Sequence, residues 1–343
     1  METLFCTMRD TLKSGGDLVL CTIIASSGST PRGSGAKMAV FADGSTLGTV
    51  GGGAVEYESV RLAKKALAER TAFTHGFNLS HNQTADIGMI CGGQVVVYFQ
   101  FFGGGDARAI AFFEAAAEQF AERKNTWLIT QISEGGVKQM GIYSREEGLR
   151  FLNDGIDDWD ILPLVRPRAV LKKGEPSYYV EPLTTSGYAY IFGGGHVAQE
   201  LVPVIARVGF APVVFEDRPD FARKELFPEA AETIVGSFTD IGASVSITPD
   251  DYVIIMTRGH QADFEVLRQA LLTPATYVGV IGSRSKIATT NQRLIAAGIP
   301  EAELSRIHAP IGLPILGETP AEIAVSIAAE LILHRAKRTG EDT

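Results

Sequence analysis

Two glycine runs lead out of extended segments into helical patterns, a placement that lets backbone N–H groups surround an anion. In YIFGGGHVAQEL, Gly193, Gly195 and Ala198 give G-x-G-x-x-A. Glycine at those positions allows a tight turn and the close approach of a pyrophosphate to the amino end of the helix. His196 follows the turn directly and projects toward the same crevice. Glu216 and Asp217 end the next strand about 20 residues on, where an acid can take a ribose hydroxyl. The chemistry expected there is dinucleotide binding, with NAD(P) as the cofactor. The plainer alternative is a glycine turn that only packs helix on strand.

The second run is GTVGGGAVE, from Gly48 to Glu56, with Gly51, Gly52 and Gly53 ahead of a helix. Just upstream, SSGSTPRGSGAKM supplies Arg32 and Lys37 as cations. Together the nest and the two charges look built for a phosphate; the alternative is a glycine-rich connection with solvated cations.

Three further places carry reactive types. Cys91, in DIGMICGG, stands between glycines just before a strand, and an accessible thiol suits metal ligation or sulfur handling, although a lone cysteine can be an inert apolar residue. Cys6 and Cys21 read as inert. In TRGHQAD, Arg258, His260 and Asp263 fall at the carboxyl edge of a sheet, and the three-residue spacing puts His260 and Asp263 on one helix face. They could form an acid–base pair or two metal ligands, too few for a catalytic zinc site, or merely a cap and a surface pair. VIGSRSK brings Arg284 and Lys286 to the same edge. HAPIGLPIL, around His308 and Gly312, is a loop before a final helix, and His75, His81 and His334 read as structural or solvated.

These residues need elements to hold them. The 343 residues suggest two domains, with a boundary near Thr184 to Gly187 that separates 1–186 from 187–343. Short apolar runs alternate with helical spacing, which predicts an α/β fold. In the first part, Leu18 to Ala25, Lys37 to Phe41 and Val95 to Phe101 read as strands, Gly44 to Gly53 as a turn and glycine loop, and Glu56 to Arg70 and Ala107 to Arg123 as helices. Asn125 to Pro182 reads as short strands with polar turns. From Gly187 the pattern becomes serially βαβ, with strands at Tyr188 to Phe192, Ala211 to Glu216, Tyr252 to Thr257 and Tyr277 to Ile281, as in a doubly wound parallel sheet. Thr319 and Glu322 form a T-x-x-E capping box with Pro320 at the first helical position.

Composition narrows the function classes. Hydrophobic residues make up 45% and charged residues 21%, with mean hydropathy of +0.10, which excludes a disordered or fibrous chain. A net charge of −9 argues against a general attraction to nucleic acid or acidic lipid. Three cysteines are too few for a disulfide framework, the apolar stretches fall short of a membrane span, and METLFCTMRD lacks the features of a signal peptide. The expectation is a cytoplasmic protein, and a homodimer on the frequency of two-fold assemblies alone.

Taken in order, GSTPRGSGAKMAV, GTVGGGAVE, DIGMICGG, YVEPL, IFGGGHVAQEL, TRGHQAD, VIGSRSK and IGLPILGETPAEIAVSIAAEL resemble the XdhC/CoxI family of xanthine dehydrogenase accessory proteins, from about Leu18 to Leu333. The resemblance implies an amino-terminal XdhC/CoxI domain and a carboxy-terminal Rossmann-like domain. It also implies a cytoplasmic chaperone that binds molybdenum cofactor (molybdopterin), assists its sulfuration with a cysteine desulfurase-type donor, and inserts it into a xanthine dehydrogenase-like apoenzyme. On that reading Arg32, Lys37 and Gly51 to Gly53 would hold the pterin phosphate and Cys91 would serve sulfur or metal. The alternative function is an NAD(P)-dependent oxidoreductase. One departure stands out: many members carry cysteine in a GGC-x-E pattern where this chain has Ala54, which weakens any mechanism needing two thiols.

Overall fold

The computed structural model describes residues 1–28, 30, 32–78, 93–122, 124–133, 139–152, 158–184, 187–282 and 284–338. The chain divides into two compact units, Met1–Thr185 and Ser186–Thr343.

In the first unit the elements run α1 Glu2–Lys13, β1 Leu18–Ser27, β2 Lys37–Phe41, β3 Thr46–Gly48, α2 Gly53–Glu69, β4 Phe73–Asn78, β5 Gln94–Phe102 and α3 Ala107–Glu122. They continue with β6 Thr126–Ile132, β7 Gln139–Ser144, β8 Gly148–Arg150, the short α4 Asp158–Ile161, β9 Val170–Lys172 and β10 Ser177–Thr184. Two five-stranded sheets result, ordered β3-β2-β1-β5-β4 and β8-β7-β6-β10-β9, and every pairing is antiparallel.

Strand β1 shows why its sequence reads as one unbroken apolar run. Leu18 and Leu20 pack with Phe5, Met8 and Phe113 of α1 and α3, whereas Val19, Cys21 and Ile23 pack with Val55, Leu62 and Ala66 of α2. Both faces of this antiparallel sheet are covered, so the usual apolar–polar alternation is lost. Burial pushes the Cys21 thiol pKa far up, in keeping with an inert residue.

The second unit runs β11 Ala189–Phe192, α5 His196–Arg207, β12 Pro212–Glu216, β13 Glu232–Val235, β14 Tyr252–Ile255, α6 His260–Ala270, β15 Tyr277–Val280, α7 Arg284–Ala296, β16 Ile307–His308 and α8 Pro320–Arg338. Its six strands are parallel in the order β13-β12-β11-β14-β15-β16. Counted from β11 this is 3-2-1-4-5-6, the doubly wound dinucleotide-fold order, with its switch point between β11 and β14. The α/β class expected from the pattern is therefore present. The layers differ from a regular alternation at one place: β12 joins β13 through two short 3₁₀ turns, Pro219–Phe221 and Lys224–Leu226, instead of a long helix.

Apolar side chains fill both faces. Ile191, Val214 and Ile254 meet Leu201 and Ile205 of α5 and Ile327 and Leu331 of α8; Phe192, Phe215 and Ile255 meet Phe264 and Leu267 of α6. The capping box forms as expected, Thr319 N–H donating to Glu322 Oε2 at 2.9 Å and Glu322 N–H to Thr319 Oγ1 at 3.3 Å. Among the described residues no helix is long and apolar enough to cross a membrane.

Candidate functional site

The crevice of the second unit lies at the carboxyl ends of β11, β12 and β14, where ligands of this sheet order bind. Gly193 continues the ladder by donating its N–H to Phe215 O at 2.8 Å. It then turns with φ of +115°, and a Cβ there would lie 2.4 Å from the Met256 carbonyl, so only glycine fits. Gly195 differs. Its φ of −75° suits any residue and no atom lies within 4 Å of where its Cβ would be. Open ground remains at the amino end of α5, whose first N–H groups lack intrahelical partners. His196 opens that helix and is exposed.

Glu216 ends β12 as expected, yet its carboxylate faces inward. The residue is 1% exposed; Oε2 accepts from the Gly194 N–H at 2.8 Å, and Arg218 Nε donates to Oε1 at 2.8 Å. Burial acts to raise its pKa, but hydrogen bonds from Arg218, Asp217 and the Gly194 N–H prevail and pull it down to about 2. Asp217, hydrogen-bonded to Glu216 and close to its charge, is pushed up, with the Arg258 charge opposing. The expected ribose ligand is thus committed to the glycine loop and to Arg218.

The TRGHQAD segment also divides. Asp263 is 3% exposed, and its Oδ1 accepts from Thr257 N–H at 3.0 Å and Thr257 Oγ1 at 2.6 Å, so it clamps the turn that carries the exposed Arg258. His260 is the exposed first residue of α6. The two share a helix face as expected, and Oδ1 of the carboxylate turns back to satisfy the backbone ahead of the helix. Arg284 begins α7 beyond the end of β15.

In the first unit the glycine nest forms and is already filled. Gly51, Gly52 and Gly53 have φ of +123°, +70° and +55°, a run that L side chains rarely adopt. The N–H of Gly51 donates to Thr49 Oγ1 at 3.1 Å and that of Gly52 to Glu56 Oε2 at 3.1 Å, while Thr49 Oγ1 also donates to Glu56. The anion held there is the chain's own carboxylate. Lys37 corrects a second expectation: it is buried and ion-paired with Glu181, their side chains 3% and 5% exposed, beside the ring of Tyr179. Its charge is neutralised within the unit. Arg32 is exposed on the preceding loop.

Cys91, expected as the metal or sulfur residue, lies outside the described residues, as does His81. Among the described residues no group of three or more His, Cys, Asp or Glu is arranged to hold a metal ion.

Four residues without an assigned part in the sequence motifs define these surroundings: Arg218, Phe221, Glu56 and Glu181. The signal for Arg218 was its place two residues after the strand-ending acid. Glu56 stood in the quoted motif at helical spacing from the nest. Glu181 gave no local signal, since it meets Lys37 from 144 residues away.

Known proteins match both units. A family model described as the XdhC Rossmann domain matches residues 189–331, and one described as the XdhC and CoxI family matches residues 11–78. A Bacillus subtilis (strain 168) protein named as a probable xanthine dehydrogenase subunit is 25% identical over 344 residues, covering 97% of this chain and 98% of its own length. An Escherichia coli (strain K12) protein named uncharacterized protein YqeB is 27% identical over 314 residues and 91% of this chain, which spans 42% of that relative. A crystal structure described as a xanthine dehydrogenase from Bacillus halodurans is similar with a TM-score of 0.81 and 26% identity, over 99% of this chain and 98% of that one. With one family model on each unit and a fold shared along nearly the whole length, the chain is similar to the XdhC and CoxI family in both of its units.

Proposed function

We propose that this protein is an accessory factor for a xanthine dehydrogenase-like molybdenum hydroxylase, that it carries molybdenum cofactor, and that it releases the cofactor to the apoenzyme once sulfurated. The observation that carries this reading is the open ground over Gly195 at the amino end of α5. Neither the conformation nor the packing of the protein requires glycine there, whereas a phosphate approaching the helix end does. The names of two relatives, both attached to xanthine dehydrogenase, support the choice of client.

The residues present fit a phosphate monoester in the second unit better than in the first. At α5 the first N–H groups are oriented outward and Arg258 adds positive charge at the same edge, with Gly193 fixing the turn. In the first unit Glu56 already occupies the nest and Lys37 is paired with Glu181. We therefore place the phosphate of the pterin at Gly195 and assign the first glycine loop a structural part. When bound, the cofactor supplies the molybdenum dithiolene centre that the client uses. The chain's own residues bind its phosphate and keep the carrier oriented for transfer; a cysteine desulfurase-type partner would supply the sulfur.

The test is to purify the protein anaerobically from a host replete in cofactor, then measure molybdenum and the fluorescence of the oxidised pterin. Near-stoichiometric pterin with molybdenum is the expected result. Pterin below a few per cent would overturn the carrier role.

A further inference from the structure

We infer that the Rossmann unit excludes NAD and NADP, because Arg218 and the turn Pro219–Phe221 fill the place where the adenosine ribose of a dinucleotide would lie. In this fold the acid at the end of the second strand accepts from the ribose hydroxyls. Glu216 is that acid, and an ionised carboxylate offers about four acceptor sites. All are engaged. Oε1 accepts from Arg218 Nε at 2.8 Å and from the Arg218 backbone N–H at 3.3 Å. Oε2 accepts from the Gly194 N–H at 2.8 Å and from Arg218 Nη2 at 3.2 Å.

The same turn closes on the glycine loop. A Cβ on Gly194 would come 2.1 Å from the Phe221 carbonyl oxygen, so the backbone of Phe221 lies directly against the loop. The Phe221 ring sits under the Arg218 guanidinium, 3.8 Å from centroid to carbon, and the Phe221 N–H donates to Arg218 O at 3.0 Å. The Arg218 guanidinium is therefore held along its donor edge by a buried carboxylate and across its face by an aromatic ring.

An NADP-type exchange fares no better. Were Arg218 to leave Glu216 for a 2′-phosphate, the buried Glu216 would be left beside Asp217 with its main cationic partner gone, and both carboxylates would face the incoming phosphate. The exclusion concerns the ribose side of the crevice and leaves the space over Gly195 untouched. It stands independently of the carrier reading.

The experiment titrates the full chain with NADH and with NADPH by calorimetry and nicotinamide fluorescence, up to about 1 mM, a range that captures binding free energies from about −4 kcal/mol. The wild-type protein is expected to show no saturable binding of either. Arg218→Ser, which releases the two side-chain bonds among the four on Glu216 and the stacking on Phe221, is expected to bind NADH at least tenfold more tightly than the wild type, with NADPH still weak. If Arg218→Ser does not fold, judged by its circular dichroism and melting, Arg218→Lys is read in its place, since lysine cannot grip both oxygens as a fork. Saturable NADH or NADPH binding by the wild type, or a folded variant no different from it, would overturn the inference. Neither readout depends on pterin retention, so this inference and the carrier reading can fail separately.

Discussion

The Arg218 guanidinium grips both carboxylate oxygens of Glu216 at 2.8 and 3.2 Å while lying over the ring of Phe221. Two residues apart at the end of β12, they turn a position that in dinucleotide folds faces a ligand into a self-contained ion pair. Its consequences reach beyond the crevice, because the pair also fixes the glycine loop through Gly194.

A pH dependence follows. Glu216 is held near pKa 2 against an ordinary 4.5, so its contribution to stability is fully present above about 4.5 and is lost as pH falls through about 2. Asp217, pushed up, works the other way, since its protonated form donates a hydrogen bond to Glu216, and burial and the charge of Glu216 both oppose its ionisation. Replacing Arg218 by Met is expected to raise the Glu216 pKa and flatten the acid limb of stability between pH 4.5 and 2. Carbon-detected NMR of the carboxyls, with urea unfolding at each pH, reads both; an unchanged Glu216 titration would remove Arg218 as its controlling partner.

Much of this was legible in the chain and some was not, for physical reasons. The βαβ order of the four central strands of the second unit could be read because each is short, apolar and followed by a glycine or polar turn, whereas the edge strands β13 and β16 are four and two residues long and carry no buried apolar run. The capping box at Thr319 was equally local. The antiparallel first unit was harder at its edges: β3 is three residues long inside a stretch that reads as a turn, and β4 carries His75, Gly76 and Asn78 among its six residues. Side-chain commitments were hardest of all. Nothing near Lys37 announces Glu181, and nothing near His260 says that Asp263 turns back to Thr257.

The Lys37–Glu181 pair should behave as a buried ion pair does when one partner is removed. Glu181→Ala or Lys37→Ala alone is expected to destabilise the first unit by about 3–5 kcal/mol, because the other charge is left buried. The double substitution to Ala is expected to cost less than the two single changes added together. Chemical unfolding of the four proteins forms the cycle; additive effects would mean that the pair is not coupled.

Glu56 makes a related but smaller case. It accepts from Thr49 and from the Gly52 N–H at the start of α2, so Glu56→Ala is expected to cost about 1–2 kcal/mol, the scale of a lost cap with a charged acceptor. Hydrogen exchange should rise at Gly51 and Gly52 before any global loss. Protection unchanged at those amides would show that the nest does not depend on its internal carboxylate.

Gly193 and Gly195 stand two residues apart and should fail in different ways. Gly193→Ala places a Cβ against the Met256 carbonyl at a φ of +115°, and is expected to cost about 2 kcal/mol or more in stability. Gly195→Ala meets nothing within 4 Å at a φ open to any residue, so its cost should be about 1 kcal/mol or less, the difference between two residues at a helix cap. Pterin retention separates the two positions more sharply than stability does. Gly195→Val leaves the fold intact yet fills the ground a phosphate needs, so the purified variant should melt near the wild type and carry several-fold less pterin. If it retains the wild-type amount, the phosphate does not sit at α5, and the glycine there answers to something other than a bound anion.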